Sequence, residues 1–154
     1  MNPASRLPEE CAAMRRLHEL LCEEQAALGA ADAMACEALL PAKAMLVAEL
    51  SELAAARHNA LATLGHRADE TGMRAWLAST TTQAIEDIDS LWQSLLAHTR
   101  DAHELNHLNG LLLQQLIARN QFAIQQLTKD ADAEMYGPGG QSHKLSARPA
   151  RAIG

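Results

Sequence analysis

One segment of the sequence matches a pattern known from zinc hydrolases. The run His103-Glu104-Leu105-Asn106-His107 has H-E-x-x-H spacing, in which two histidines one helical turn apart bind zinc and the glutamate acts as general base. A catalytic zinc site needs a third protein ligand, and Leu113 stands where the extended motif has its third histidine. Glu134 is the downstream acid that would have to complete the site. We therefore predict no metal site and no catalytic residues, and keep a small zinc-dependent hydrolase as an alternative.

The cysteines offer a second candidate cluster. Cys11, His18 and Cys22 are spaced seven and four residues apart, which places them on one side of a helix. Structural zinc sites usually contain close C-x₂₋₄-C pairs, which this sequence lacks, and cysteine is commonly a small buried apolar residue. The total of three cysteines is odd, which does not suit a disulfide framework. We expect thiols in a reducing cytoplasm, with neither a disulfide nor a metal.

The composition favours an all-helical protein. Hydrophobic residues make up 48% of the 154 residues but aromatic residues only 3%, and the apolar content is mostly Ala and Leu, which form helices rather than sheets.

The net charge of −6 opposes binding to nucleic acid or anionic lipid. No segment approaches the roughly 20 apolar residues of a membrane span. Phosphate-binding, dinucleotide-binding and nucleophile-elbow motifs are absent from the sequence, so no cofactor is expected.

Apolar residues at alternating spacings of three and four predict an antiparallel helical hairpin followed by a long helix. The first helix starts near Pro8, Gly29 stops it, and Asp32 caps the second helix. The second helix runs to Gly65, and a connector with a small helix leads to residue 82. The seam of the second helix contains apolar or long-stemmed residues: Leu39, Lys43, Leu46, Leu50, Leu53, Arg57, Ala60 and Leu64.

The long helix that follows the connector carries polar residues within its apolar stripe, namely Thr99, Asn106, Asn109 and Asn120. A buried Asn can fix the register of a helical seam. Alternatively, the stripe is not fully covered by the chain's own helices and accepts an amphipathic helix from a partner. The glycine-rich run 136–140 ends any helix, so we predict a helical domain over residues 1–136 and a flexible tail over 137–154.

Three segments in the C-terminal half resemble the flagellar export chaperone family FlgN. They are Asn106-His107-Leu108-Asn109-Gly110-Leu111-Leu112, then Asn120, Ala123-Ile124 and Leu127, and finally Tyr136-Gly137-Pro138-Gly139-Gly140-Gln141. The segment from Leu20 to Leu28 and the seam from Leu39 to Leu50 are similar to the family's first helical hairpin. One difference is Gly139, where an Asp is common in the family.

The resemblance implies a cytoplasmic, nonenzymatic chaperone of flagellar type III secretion. Its clients would be the C-terminal regions of the hook–filament junction proteins FlgK and FlgL, and Tyr136 would dock to the export gate component FlhA. By position, the client-binding residues would be Leu113, Leu116, Ile117, Asn120, Ile124 and Leu127. The sequence leaves open whether the chain is a monomer or a homodimer, and a structural coiled-coil adaptor is the second alternative.

Overall fold

The computed structural model describes residues 2–81 and 85–135, apart from the side chain of Glu134. It contains the helices α1 (Leu7–Gly29), α2 (Ala33–Thr63), α3 (Glu70–Ser79) and α4 (Ile85–Met135). No strand occurs in these ranges, and the predicted all-α class is confirmed. None of the helices described is long and apolar enough to cross a membrane. The chain divides into two units, one ending at Leu116 and one beginning at Ile117; the predicted boundary between residues 136 and 137 lies outside the described residues.

The turn between α1 and α2 forms largely as the sequence predicts. Helix α1 ends at Gly29, but the left-handed residue of the turn is Ala31, with φ of +54°, in a conformation that usually favours glycine. The N–H of Asp32 donates to the carbonyl oxygen of Ala27 at 2.9 Å and closes the helix end. The Asp32 side chain then accepts a hydrogen bond from the N–H of Ala35 at 3.0 Å, which confirms Asp32 as the N-cap of α2.

Helix α3 begins in a tight turn that depends on glycine. The Asp69 carboxylate accepts hydrogen bonds from the N–H of Gly72 at 2.8 Å and from Nε of Arg67 at 2.7 Å. The backbone hydrogen bond from Gly72, followed by that from Arg67, holds the pKa of Asp69 below its usual value. A Cβ on Gly72 would lie only 2.6 Å from the carbonyl carbon of Arg67. The turn therefore requires glycine at this position.

Two hydrophobic clusters join the helices within residues 2–116. One cluster contains buried residues of α1, of the C-terminal end of α2, of α3 and of α4. They include Leu7, Cys11, Leu61, Met73, Trp76, Leu77, Trp92 and Leu95. The other contains Leu17, Leu21 and Ala102 and is flanked by partly buried leucines of α2 and α4. The small helix of the connector, α3, is thus part of the core through Met73, Trp76 and Leu77.

A buried ion pair connects α1, α2 and α4 near one end of this core. The Arg57 guanidinium donates two hydrogen bonds to the Glu10 carboxylate, both at 3.0 Å. Only 10% of the Arg57 side chain and 6% of the Glu10 side chain are exposed. The guanidinium carbon also lies 4.8 Å from the ring centroid of Trp92, in cation–π geometry. We call these three residues the Arg57 cluster.

A second polar cluster connects the same three helices two heptads further along α1. Lys43 Nζ lies 3.0 Å from both carboxylate oxygens of Glu24. The Asn109 amide donates one hydrogen bond to Glu24 Oε2 and one to the carbonyl oxygen of Leu21, both at 2.9 Å. We call Glu24, Lys43 and Asn109 the Asn109 cluster. From the Arg57 cluster to the Asn109 cluster, residue numbers rise along α1 and α4 and fall along α2. The predicted antiparallel hairpin of α1 and α2 is therefore confirmed, and α4 runs in the same direction as α1.

Candidate protein-binding surface

One face of α4 changes from buried to exposed along the helix. Residues spaced by three or four positions share a helical face, and on this face Trp92, Leu95, Ala102 and Asn109 are buried. The same spacing continues toward the C-terminus, but the side chains there are exposed: Leu113 48%, Ile117 47%, Ile124 63% and Leu127 70%. The hydrophobic seam therefore continues beyond the residues that the described helices bury.

All six residues predicted to bind a client lie on this face. We call them the α4 stripe: Leu113, Leu116, Ile117, Asn120, Ile124 and Leu127. Leu116 is half-buried and the other five are exposed. Because they lie on one helix, these residues form a row rather than a pocket. Rows of this kind occur on helices that pack against an amphipathic partner helix.

Leu113 is the member of the α4 stripe that borders a cavity. The cavity has a volume of about 350 Å³ and is lined by residues of α1, α2 and α4, including Leu28, Leu40, Lys43 and Gly110. Asn109 lines it as well, and the Oδ1 atom of that side chain is buried without a hydrogen-bond partner. The first residue of the stripe thus lies beside an incompletely filled part of the bundle.

The polar residues in the α4 seam have different roles. Asn109, 3% exposed, bonds to α1 and so fits the interpretation that a buried Asn sets the register. The hydroxyl of Thr99 donates to the carbonyl oxygen of Leu95 in its own helix at 2.7 Å. Asn106 and Asn120 are exposed, and Asn120 lies within the α4 stripe. The register interpretation therefore fits Asn109, and the interpretation that the exposed part of the seam accepts a partner helix stays a prediction.

The residues considered as metal ligands do not converge in the described part of the chain. His103 and His107 are exposed on α4, and no group of three His, Cys, Asp or Glu residues that could hold a metal occurs within residues 2–81 and 85–135. The side chain of Glu134 and all of Tyr136 lie outside the described residues. The candidate gate contact therefore remains a prediction.

Cys11 is a core residue rather than a reactive thiol. Its Sγ lies 3.3 Å from the carbonyl oxygen of Leu91 in α4, to which it donates. Burial raises the pKa of the Cys11 thiol, and the Glu10 carboxylate adds to that effect. A thiol with a raised pKa is a poor nucleophile at neutral pH. Cys22 is exposed, with its Sγ 4.0 Å from Nδ1 of His18.

Sequence reasoning missed the buried acids that orient α4. Glu10 and Glu24 occupy equivalent heptad positions of α1, fourteen residues apart, and Arg57 and Lys43 are also fourteen residues apart in α2. Opposite charges at matching intervals on antiparallel helices predict two ion pairs. This spacing was the signal that could have identified both polar clusters.

The fold and the α4 stripe define an all-helical protein with an exposed hydrophobic helix face. The family model described as "FlgN protein" matches residues 1–144. The chain therefore belongs to the FlgN family.

The chain is also similar to flagella synthesis proteins FlgN from several bacteria. Identity to the Escherichia coli (strain K12) protein is 36% over 56 residues, which covers 36% of this chain and 41% of that protein. Identity to the Salmonella typhimurium protein is 37% over 59 residues, covering 38% and 42%. The Proteus mirabilis protein is 39% identical over 54 residues, covering 35% and 37%. The chain thus spans about two fifths of the length of the curated relatives that it matches, and no solved structure matches it.

Proposed function

We propose that this protein is a cytoplasmic flagellar export chaperone. It binds the C-terminal regions of the hook–filament junction proteins FlgK and FlgL before their secretion, and it has no enzymatic activity. Family membership supports the flagellar role, as do the names of the similar proteins. The α4 stripe supports binding of a helical segment as the means.

The observation that carries the proposal is the exposure of the α4 seam from Leu113 onward. A soluble protein rarely leaves a long hydrophobic stripe in water unless a partner covers it. The stripe repeats at spacings of three and four, which suits an amphipathic client helix with anchors at i, i+3, i+4 and i+7. Ile124 and Leu127 are the most exposed apolar members, at 63% and 70%, so a client gains most by covering them.

Such a chaperone needs no nucleotide. It binds the client before secretion and thereby lowers the concentration of unbound, self-associating client by mass action. Release then occurs at the export gate, where we propose that Tyr136 contacts FlhA. Gly139, which replaces the Asp common in the family, lies three residues from that contact and would alter its strength.

Calorimetric titration with a C-terminal fragment of FlgK tests this function. Ile124→Ala and Leu127→Ala should each weaken binding about tenfold or more, because burial of a large aliphatic side chain contributes roughly 1.5–3 kcal/mol. Both residues are exposed in the protein alone, so the melting temperature should change little.

Phe122→Ala is the matched control for these variants. Phe122 is also a large exposed hydrophobic residue, 62% exposed, but its position in the sequence places it on the opposite face of α4. It should keep wild-type affinity for the fragment. Equal losses in all three variants would mean that the stripe is not the specific site, and no heat of binding to either FlgK or FlgL would refute the chaperone proposal.

Self-association through the α4 stripe is the competing use of this surface, and it corresponds to a structural coiled-coil adaptor. In that case Ile124→Ala would convert an oligomer to a monomer and leave client binding unchanged.

A further inference from the structure

The part of α4 that carries the α4 stripe contains almost no charge. Between positions 105 and 128, Arg119 is the only Asp, Glu, Lys or Arg. At the 21% charged content of the whole chain, a stretch of this length would contain about five. Helix α1, which is of similar length, contains seven charged residues. The polar residues around the stripe are therefore of another kind.

Side-chain amides take the place of charges in this segment. Eight Asn or Gln residues lie between positions 105 and 128, against six in the rest of the chain. Asn109 is buried and the other seven are exposed. Each amide has an oxygen that accepts hydrogen bonds and an NH₂ group that donates them. An amide can therefore bond to an acidic, a basic or a neutral side chain of a partner.

Gln114 and Gln121 lie along one edge of the α4 stripe. Successive residues are about 100° apart around an α-helix, so Gln121 lies about 40° from Ile117. Gln114 stands seven residues earlier on the same edge. The opposite edge, beside Leu116, holds Arg119 as its one charge. Amides, rather than a row of charges, thus border the stripe.

The other charged residues of α4 are remote from the middle of the stripe. They lie before residue 105 and after residue 128. The stripe from Leu113 to Leu127 spans about 21 Å at 1.5 Å per residue. Because the Debye length is about 8 Å at physiological ionic strength, these charges act mainly at the two ends of the stripe. The net charge of −6 therefore does not make the stripe itself acidic.

Charged residues beside a helical seam normally select its partner. Opposite charges across the seam attract, and like charges exclude the wrong helix. The α4 stripe has one such residue, Arg119, and a single exposed cation changes affinity by about fivefold at most. Selection at this surface therefore depends on the spacing and size of the apolar residues of the partner.

We infer, on the basis of the proposed chaperone function, that the α4 stripe accepts amphipathic client helices of either charge. It binds them through apolar contacts and side-chain amides and does not depend on ion pairs. The feature that it selects is a row of apolar residues at spacings of three and four. One surface of this kind can hold two clients whose sequences differ in charge.

Calorimetric titration with two synthetic amphipathic peptides tests the inference on the full chain. The peptides share the same leucines at spacings of three and four, and glutamates flank the leucines in one peptide and lysines in the other. The wild-type chain should bind both, with Kd values within about fivefold of each other. Arg119→Gln should change the ratio of the two Kd values by no more than that amount.

A double variant introduces the charge selection that the wild-type chain lacks. Gln114→Glu combined with Gln121→Glu places two carboxylates along the edge of the stripe, with little change in helix propensity. Its preference should shift by at least about tenfold toward the lysine-flanked peptide. Circular dichroism checks that the helices of each variant are intact.

Three results would overturn the inference. The first is a wild-type chain that distinguishes the two peptides by tenfold or more. The second is a double variant with the preference of wild type, because the amides would then not border the contact. The third is binding of the FlgK fragment that weakens about tenfold or more between about 0.1 M and 1 M NaCl, where ion pairs are screened. The chaperone proposal fails separately, if neither the FlgK nor the FlgL fragment binds while the peptides do.

Discussion

Removing the cation of the Arg57 cluster should strongly destabilise the protein. Arg57→Met keeps a long apolar stem but leaves the Glu10 carboxylate, 6% exposed, without its partner at 3.0 Å. Breaking a buried ion pair from one side typically costs about 3–5 kcal/mol. Loss of the cation–π contact with Trp92 adds roughly 0.5–2 kcal/mol.

The expected loss is therefore about 3 kcal/mol or more in the free energy of unfolding. For a chain of this size that corresponds to a fall in melting temperature of about 6–12 °C. Arg16→Met is the matched control, because the Arg16–Glu49 pair is longer, at 3.3 Å, and its side chains are 58% and 44% exposed. A surface pair of this kind contributes about 1 kcal/mol at most.

Urea unfolding of four chains measures the effect: wild type, Arg57→Met, Arg16→Met and the double variant Glu10→Leu with Arg57→Met. The double variant should recover much of the stability that Arg57→Met loses, because replacing both buried charges with apolar groups removes the uncompensated carboxylate. If Arg57→Met and Arg16→Met lose the same small amount, the pair is not buried as described and the reasoning is refuted.

Three further predictions concern other parts of the molecule. Gly72→Ala should lose about 1–3 kcal/mol in urea unfolding, because the added methyl group overlaps the backbone of Arg67. Gly110→Ala, with open space around its Cβ, should gain about 0.5–1 kcal/mol; equal effects would contradict the tight turn. Burial, followed by the Arg57 charge, lowers the pKa of His58. The neutral imidazole of His58 therefore contributes to stability above the ordinary histidine pKa of about 6.5, and this contribution is lost as pH falls through the lowered value. The melting temperature should therefore drop less between pH 7 and 5 in His58→Gln, and an identical drop would contradict this. Metal analysis should find no stoichiometric zinc, whereas one zinc per chain that is lost in His103→Ala with His107→Ala would support the hydrolase alternative.

The helices could be predicted from the sequence because their hydrophobic spacing is regular. Pro8 and Gly29 marked the ends of α1, and the Asp32 cap and Gly65 marked those of α2. Gly65 has φ of +80°, the conformation in which glycine ends a helix. Spacing alone did not show that Ala31 takes the left-handed position of the first turn, because that conformation depends on how the two packed helices close the loop.

Burial was harder to predict than helicity. Leu64 follows the α2 seam in sequence but is 47% exposed, since it lies just past the helix end at Thr63. Glu10 and Glu24 look like surface acids of α1, and they are buried because Arg57 and Lys43 reach them from α2. The exposed apolar residues of α2, such as Met34 and Met45, are hard to distinguish from the inner seam in the sequence, because a single helix with apolar residues on two faces gives overlapping patterns.

Amide hydrogen exchange with and without the FlgK C-terminal fragment tests the central claim most directly. Exchange should slow on binding in residues 113–127 of α4, where the exposed stripe lies, and stay unchanged in residues 34–48 of α2. Protection confined to α2, or no protection in residues 113–127 at saturating fragment, would contradict the claim that the α4 stripe holds the client.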